Sequence, residues 1–189
     1  MTKRNARGVE RRGLILRAAV TVVARGGAGA LTHRAAATEA GISLASVTYH
    51  FPSSDDLRRA TLAFAADEIG PAFAASFECD GDHAAIIEDL ARRWRDLGMT
   101  HRESFITLFS LLVEALHDPD LRSDVDGLLA FPIKTLTDEG ISSSTADALV
   151  GSLVGLALIA LARNRPEEAL DQFDQSVLAL LAAFGRNYD

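Results

Sequence analysis

The sequence predicts an all-α protein of about nine helices: an N-terminal three-helix head, residues 1–60, and a C-terminal helical body, residues 61–189. Three observations carry that expectation. Apolar residues recur at three- and four-residue spacing along most of the chain, and no alternating stretch reads as a strand. Serine, threonine, glycine and proline stand at the places where such helices must begin and end. Charge is segregated as well: residues 1–60 hold 10 Lys/Arg against 4 Asp/Glu, a net of +6, whereas residues 61–189 hold 9 against 22, a net of −13. A basic head on an acidic body suits a protein of which only the head approaches phosphates.

Residues 1–9 read as a short, mobile basic arm able to lie along a phosphate backbone. From Glu10 to Arg25 the positions Leu14, Ile15, Ala18, Ala19, Val22 and Val23 form the stripe of an amphipathic helix, which Gly26, Gly27 and Gly29 stop. The next stretch, Thr32–Phe51 (THRAAATEAGISLASVTYHF), organises the head. Thr32 caps an alanine-rich helix, Gly41 supplies the left-handed turn, and Ser43 caps a second helix over 44–50. Ala37, Ala40, Ile42 and Val47 let the two helices cross closely. Leu44, Ala45, Ser46, Thr48, Tyr49 and His50 are left facing outward, the description of a helix-turn-helix recognition unit.

Ser53 with Asp56 forms a capping box, so a new helix starts at 53–54 and runs through Leu57, Arg58, Arg59, Leu62 and Ile69 to near Gly70–Pro71. In the body, residues 83–97 form a helix ended by Gly98, and His101–His117 forms the next. Leu121–Leu136 is expected to bend or break at Pro132. Ser144 with Asp147 reads as a second capping box, opening a long apolar helix over 145–163. Pro166 opens the last helix, which runs to Gly185.

The last two helices carry more apolar surface than one chain needs. Gly151 and Gly155 allow a close approach on the first, and Phe173, Val177 and Leu181 form a broad stripe on the second. Two such hairpins across a two-fold axis make a four-helix bundle, so the chain is expected to be a homodimer. A two-turn recognition helix also has too few contacts to bind specifically alone, and a dimer reads two half-sites.

Other classes find little support. The single cysteine, Cys79, excludes an intramolecular disulfide framework and fits a reducing cytoplasm. The five histidines, His33, His50, His83, His101 and His117, show no metal-ligand spacing, and no phosphate-cradling loop follows a strand, so neither an enzyme nor a metal or cofactor is expected. The N-terminus lacks the apolar segment of a signal peptide, and the most apolar run, Leu149–Ala162, is 14 residues, too short to span a bilayer and more in keeping with a buried helix, so no membrane partner is expected.

Residues 15–57, ILRAAVTVVARGGAGALTHRAAATEAGISLASVTYHFPSSDDL, resemble the TetR (tetracycline-repressor) family of bacterial transcription regulators. The resemblance implies a homodimer whose residues 32–50 enter the major groove of a palindromic double-stranded operator, with an effector pocket in each body and a dimer interface from the last two helices. It implies Thr32, Arg34, Ser43, Thr48 and Tyr49 as phosphate-positioning residues, and Leu44, Ala45 and Ser46 as base-facing ones, with His50 near either. Two positions depart from the family pattern: Thr48 stands where a tyrosine is usual, and Ser54 where a lysine is usual.

In the body, Trp94, Phe105, Phe109, Leu112 and Phe131 are candidates to line an apolar cavity, with polar spots from Glu114, His117 or Arg95, for a small, mainly apolar effector. The expected function is thus a ligand-responsive repressor. The competing class is a helical dimeric adaptor or ligand-binding protein that has lost specific DNA binding.

Overall fold

The computed structural model describes residues 3–74, 83–163 and 172–180, and every regular element among them is helical. In order these are α1 (Lys3–Gly26), the short 3-10 turn η1 (Ala28–Ala30), α2 (His33–Glu39), α3 (Leu44–His50), α4 (Ser54–Ala74), α5 (His83–Thr100), α6 (Arg102–Glu114), α7 (Pro119–Asp138) and α8 (Ser143–Ala162). Residues 172–180 are helical too and are called α9. The all-α expectation holds.

Several boundaries differ from those the sequence predicts. The basic arm is helical from Lys3, because its lysine, arginines, alanine and glutamate are good or tolerable helix formers and only Gly8 interrupts them. α4 passes through Gly70–Pro71: the proline gives up one helix hydrogen bond, but a glycine before it lacks the Cβ that would oppose the helical conformation there. Gly98 lies inside α5, since an interior glycine costs about 1 kcal/mol without itself ending a helix; the chain turns at His101. α7 starts at Pro119, a tolerated first position, with the Asp118 carboxylate accepting from the backbone N–H groups of Asp120 (3.0 Å) and Leu121 (3.4 Å). That helix continues through Pro132, held by fully buried Leu136 beyond it. α8 is capped by Ser142, whose Oγ accepts from the Thr145 N–H at 3.3 Å, and not by a Ser144–Asp147 box. Of the expected last helix only 172–180 falls within the described residues, so Leu181 lies outside them.

The chain divides into two compact units, Met1–Glu68 with Glu103–Val125, and Ile69–Arg102 with Asp126–Asp189. In the first, α1 packs on α2 and α2 on α3 around Ile15, Leu16, Ala19, Val23, Val47 and Phe51. α6 belongs to this unit. Its buried Thr107 donates to the Val20 carbonyl at 3.1 Å, its buried Ser104 hydrogen-bonds Glu68 of α4, and Glu103 accepts from Thr21 at 2.8 Å. Arg122 closes the end of α6 by donating to the carbonyls of Ala115 (3.0 Å) and Leu116 (2.8 Å).

In the second unit α5 packs on α8, and Arg95 donates to Asp174 of α9 at 2.7 Å, which holds its guanidinium even more firmly protonated than usual. α8 does not read as a buried core helix. It is 20 residues long with a mean hydropathy of 2.0, long and apolar enough by those measures to cross a membrane, and only 22% of that apolar window is buried in the chain.

Candidate nucleic-acid interface

Local chemistry builds the two-helix unit from both ends. Thr32 and Ser43 are in extended conformation and cap α2 and α3, their side-chain oxygens accepting from the N–H groups of Ala35 (3.0 Å) and Ser46 (3.3 Å). Each hydroxyl keeps its own proton free to donate outward. Between the helices Gly41 takes φ +63, while Ile42 N–H donates to the Ala37 carbonyl (3.0 Å) and Gly41 N–H to that of Thr38 (3.2 Å). That pair of bonds is a Schellman closure, and it needs the left-handed residue that glycine supplies.

Val47 is fully buried beneath α3, and Ala36 and Ala37 are buried on α2, so the small side chains do bring the helices together. The other face of α3 is open. Tyr49 is 82% exposed and Leu44 42%; Ala45 and Thr48 are exposed, and Ser46 and His50 half-buried. The Tyr49 and His50 rings meet edge to face at 5.3 Å. Thr48 donates its hydroxyl back to its own helix, 3.2 Å from the carbonyls of both Leu44 and Ala45, which leaves it only acceptor capacity toward a partner.

The basic residues sort into two groups. Arg25 pairs with Glu39 at 3.3 Å, Arg58 with Asp55 and Asp118, and Arg59 with Asp56 at 3.6 Å. Arg34, beside the Thr32 cap, is exposed and forms no ion pair among the described residues. On the following helix the Ser53–Asp56 box is present as predicted: Ser53 Oγ and backbone N–H both donate to the Asp56 carboxylate (2.7 and 3.1 Å), and Asp56 N–H donates to Ser53 Oγ (3.0 Å). These bonds from Ser53, with smaller help from Arg59, hold the Asp56 carboxyl below its ordinary range.

One contact escapes the sequence. His33 Nε2 lies 2.7 Å from the main-chain carbonyl of Phe51, and because a carbonyl only accepts, that nitrogen carries the hydrogen. The guanidinium of Arg12 in α1 sits 5.2 Å from the centre of the Phe51 ring. Neither residue carries a local spacing signal, since each acts on a partner brought near only by the fold.

The remaining candidates fall in different places. Phe105, Phe109, Leu112 and Glu114 lie on α6 in the first unit, with the Phe105 and Phe109 rings 6.0 Å apart, whereas Trp94 and the 43% exposed Phe131 belong to the second. None of these lines the described groove of about 170 Å³, which is walled by Leu156, Ile159 and Ala160 of α8, by Arg163 just past its end, and by Gln172, Phe173 and Ser176 of α9. Phe173 and Val177 are already buried within the chain; Leu158, Ile159 and Leu178 are the large apolar side chains left exposed on the described part of these helices. At Gly151 and Gly155 an added Cβ would meet nothing within 4 Å.

Residues 15–61 match the family described as bacterial regulatory proteins, tetR family. Among solved structures, a TetR-family member from Streptomyces coelicolor A3 is 30% identical with a TM-score of 0.73, the match covering 88% of this chain and 97% of that one. The multidrug binding protein EbrR complexed with malachite green is 32% identical, TM-score 0.73, over 91% and 98% of the two chains. A transcriptional regulator from Rhodococcus sp. Rha1 is 22% identical with a TM-score of 0.77 over 91% and 96%, a likeness of fold alone. No curated protein is a significant match. The helix-turn-helix geometry, the matched N-terminal residues and relatives at 30% identity or more along nearly their whole length make the chain a member of the TetR family of bacterial transcription regulators.

Proposed function

We propose that this regulator is a repressor that binds a palindromic operator as a homodimer, through residues 1–60, and leaves it when a small, mainly apolar effector enters the body, residues 61–189. The observation that carries the reading is the open face of α3. Leu44, Ala45 and Ser46 stand at its start, where base edges would be met, and Thr32, Arg34, Ser43 and Tyr49 flank them with donors suited to phosphates, with Thr48 and His50 beside them. Exposed Leu158, Ile159 and Leu178, with the open glycines Gly151 and Gly155, support a second copy packing on α8 and α9.

The similarity to EbrR, which binds malachite green, supports a small aromatic effector, and the net charge of −13 beyond residue 60 favours a cationic one over an anionic one. Phe105, Phe109, Leu112 and Glu114 in the first unit, and Trp94 and Phe131 in the second, are separate candidates to receive it. The two heads of a dimer would then lose the spacing of roughly 34–36 Å that successive major grooves require.

The experiment is selection of a duplex from a randomised pool, followed by anisotropy titration at several salt concentrations with and without malachite green. A two-fold symmetric site bound by a dimer supports the reading. Unchanged operator affinity across a panel of cationic and neutral aromatics would remove the effector step alone. The adaptor alternative draws on Thr48, whose hydroxyl is turned back on its own helix, and on the paired Arg58 and Arg59; no DNA bound at low salt would favour it.

A further inference from the structure

We infer that His33 is a positioning residue for the recognition helix, acting through the Phe51 carbonyl. The inference rests on the DNA-reading role proposed above. α2 and α3 are joined covalently only at the turn 40–43, where the Schellman bonds fix the end of α2 and the start of α3. A two-helix unit bonded only at one end can pivot there within the freedom that the packing of Val47 and Phe51 leaves. The far end is tied by His33, the first residue of α2, whose Nε2–H donates at 2.7 Å to Phe51, the residue that closes α3.

Phe51 is well suited to receive that tie. The residue is 2% exposed in the head core, its ring lies under the Arg12 guanidinium, and its N–H donates to the Val47 carbonyl at 2.9 Å. Its own carbonyl points past the end of the helix, where no further residue of α3 can reach it. His33 supplies the missing donor from the other helix. A seven-residue helix is about 10 Å long, so a 10° swing about the turn, taken as roughly the scale of such a pivot, moves its far end by about 2 Å, more than a hydrogen bond made from that end tolerates, while Leu44, Ala45 and Ser46 beside the turn move far less. Tyr49 and His50 sit at that far end.

The test compares wild type, His33→Ala and His33→Gln on the duplex that wild type enriches from a randomised pool and on an unrelated duplex, with active fractions fixed by stoichiometric titration. A glutamine amide nitrogen can take the place of Nε2. The expected result is that His33→Ala weakens binding to the selected duplex by roughly five- to tenfold per half-site, keeps its affinity for the unrelated duplex and its salt slope, and that His33→Gln regains most of the loss. Equal losses on both duplexes, or no loss on the selected one, overturns the positioning role and leaves the regulator reading intact. If wild type enriches no duplex, both fall together.

Discussion

The Thr107 hydroxyl donates to the Val20 main-chain carbonyl at 3.1 Å, tying the middle of α6 to the C-terminal third of α1 across 87 positions of sequence. Both residues are almost fully buried, so water cannot replace the bond. Thr107→Val keeps the shape and is expected to cost about 1 kcal/mol; Thr107→Ala, which also opens a void, costs roughly 2 kcal/mol. Urea midpoints measure both, and a neutral Thr107→Val would show that the contact is made without being needed.

Gly26 and Gly155 should respond oppositely to a side chain. A Cβ on Gly26 would stand 2.7 Å from the Ala30 Cβ, an atom that cannot move without its backbone, so Gly26→Ala is expected to destabilise the head by about 1–3 kcal/mol. At Gly155 the same atom meets nothing within 4 Å among the described residues. Gly155→Leu should therefore retain full helicity yet shift the protein toward monomer in sedimentation equilibrium, if that face meets a second copy.

Asp56 makes the start of α4 acid-sensitive. Its carboxyl, held down by the Ser53 hydroxyl and N–H, titrates below the ordinary 3.8 in the folded protein, so protons bind the unfolded chain more readily. The stabilisation is then fully present above that ordinary value and is lost as pH falls through the folded one. The melting-temperature gap between wild type and Asp56→Asn should stay constant from pH 7 to about 5 and close below about pH 4.

The arginines of the head should separate by salt dependence. Arg34 is exposed beside the Thr32 cap and forms no ion pair among the described residues, so Arg34→Ala is expected to lower the salt slope of DNA binding by about 0.9 per half-site. Arg59 spends its charge on Asp56, and Arg58 on Asp55 and Asp118. Replacing either by alanine should leave the slope unchanged, and a clear fall would mean that the ion pairs open on DNA.

Much of the head is legible in the chain because its signals are local. Thr32, Gly41, Ser43 and the Ser53–Asp56 box act on atoms within a few residues, and each makes the contact its spacing predicts. Alternation of burial along α3 follows from helix geometry in the same way. Where local signals compete, reading fails: Pro132 and Gly98 are helix-breakers by propensity, but penalties of about 1–3 kcal/mol are outweighed when neighbouring turns are packed. The Ser142 cap was missed because three consecutive serines and a threonine offer several equivalent starts, and only the path of the backbone selects among them.

The order of helices, the helix-turn-helix and its outward face, and the division of charge follow from residue types and spacing, for these depend on periods and caps that any helix obeys. What α6 rests on, which arginines stay unpaired, and how His33 reaches Phe51 were decided by tertiary structure. The contacts of Thr107 and of His33 join residues 87 and 18 positions apart, and such pairs leave no period in the sequence, because the distance between them is set only once the helices have packed.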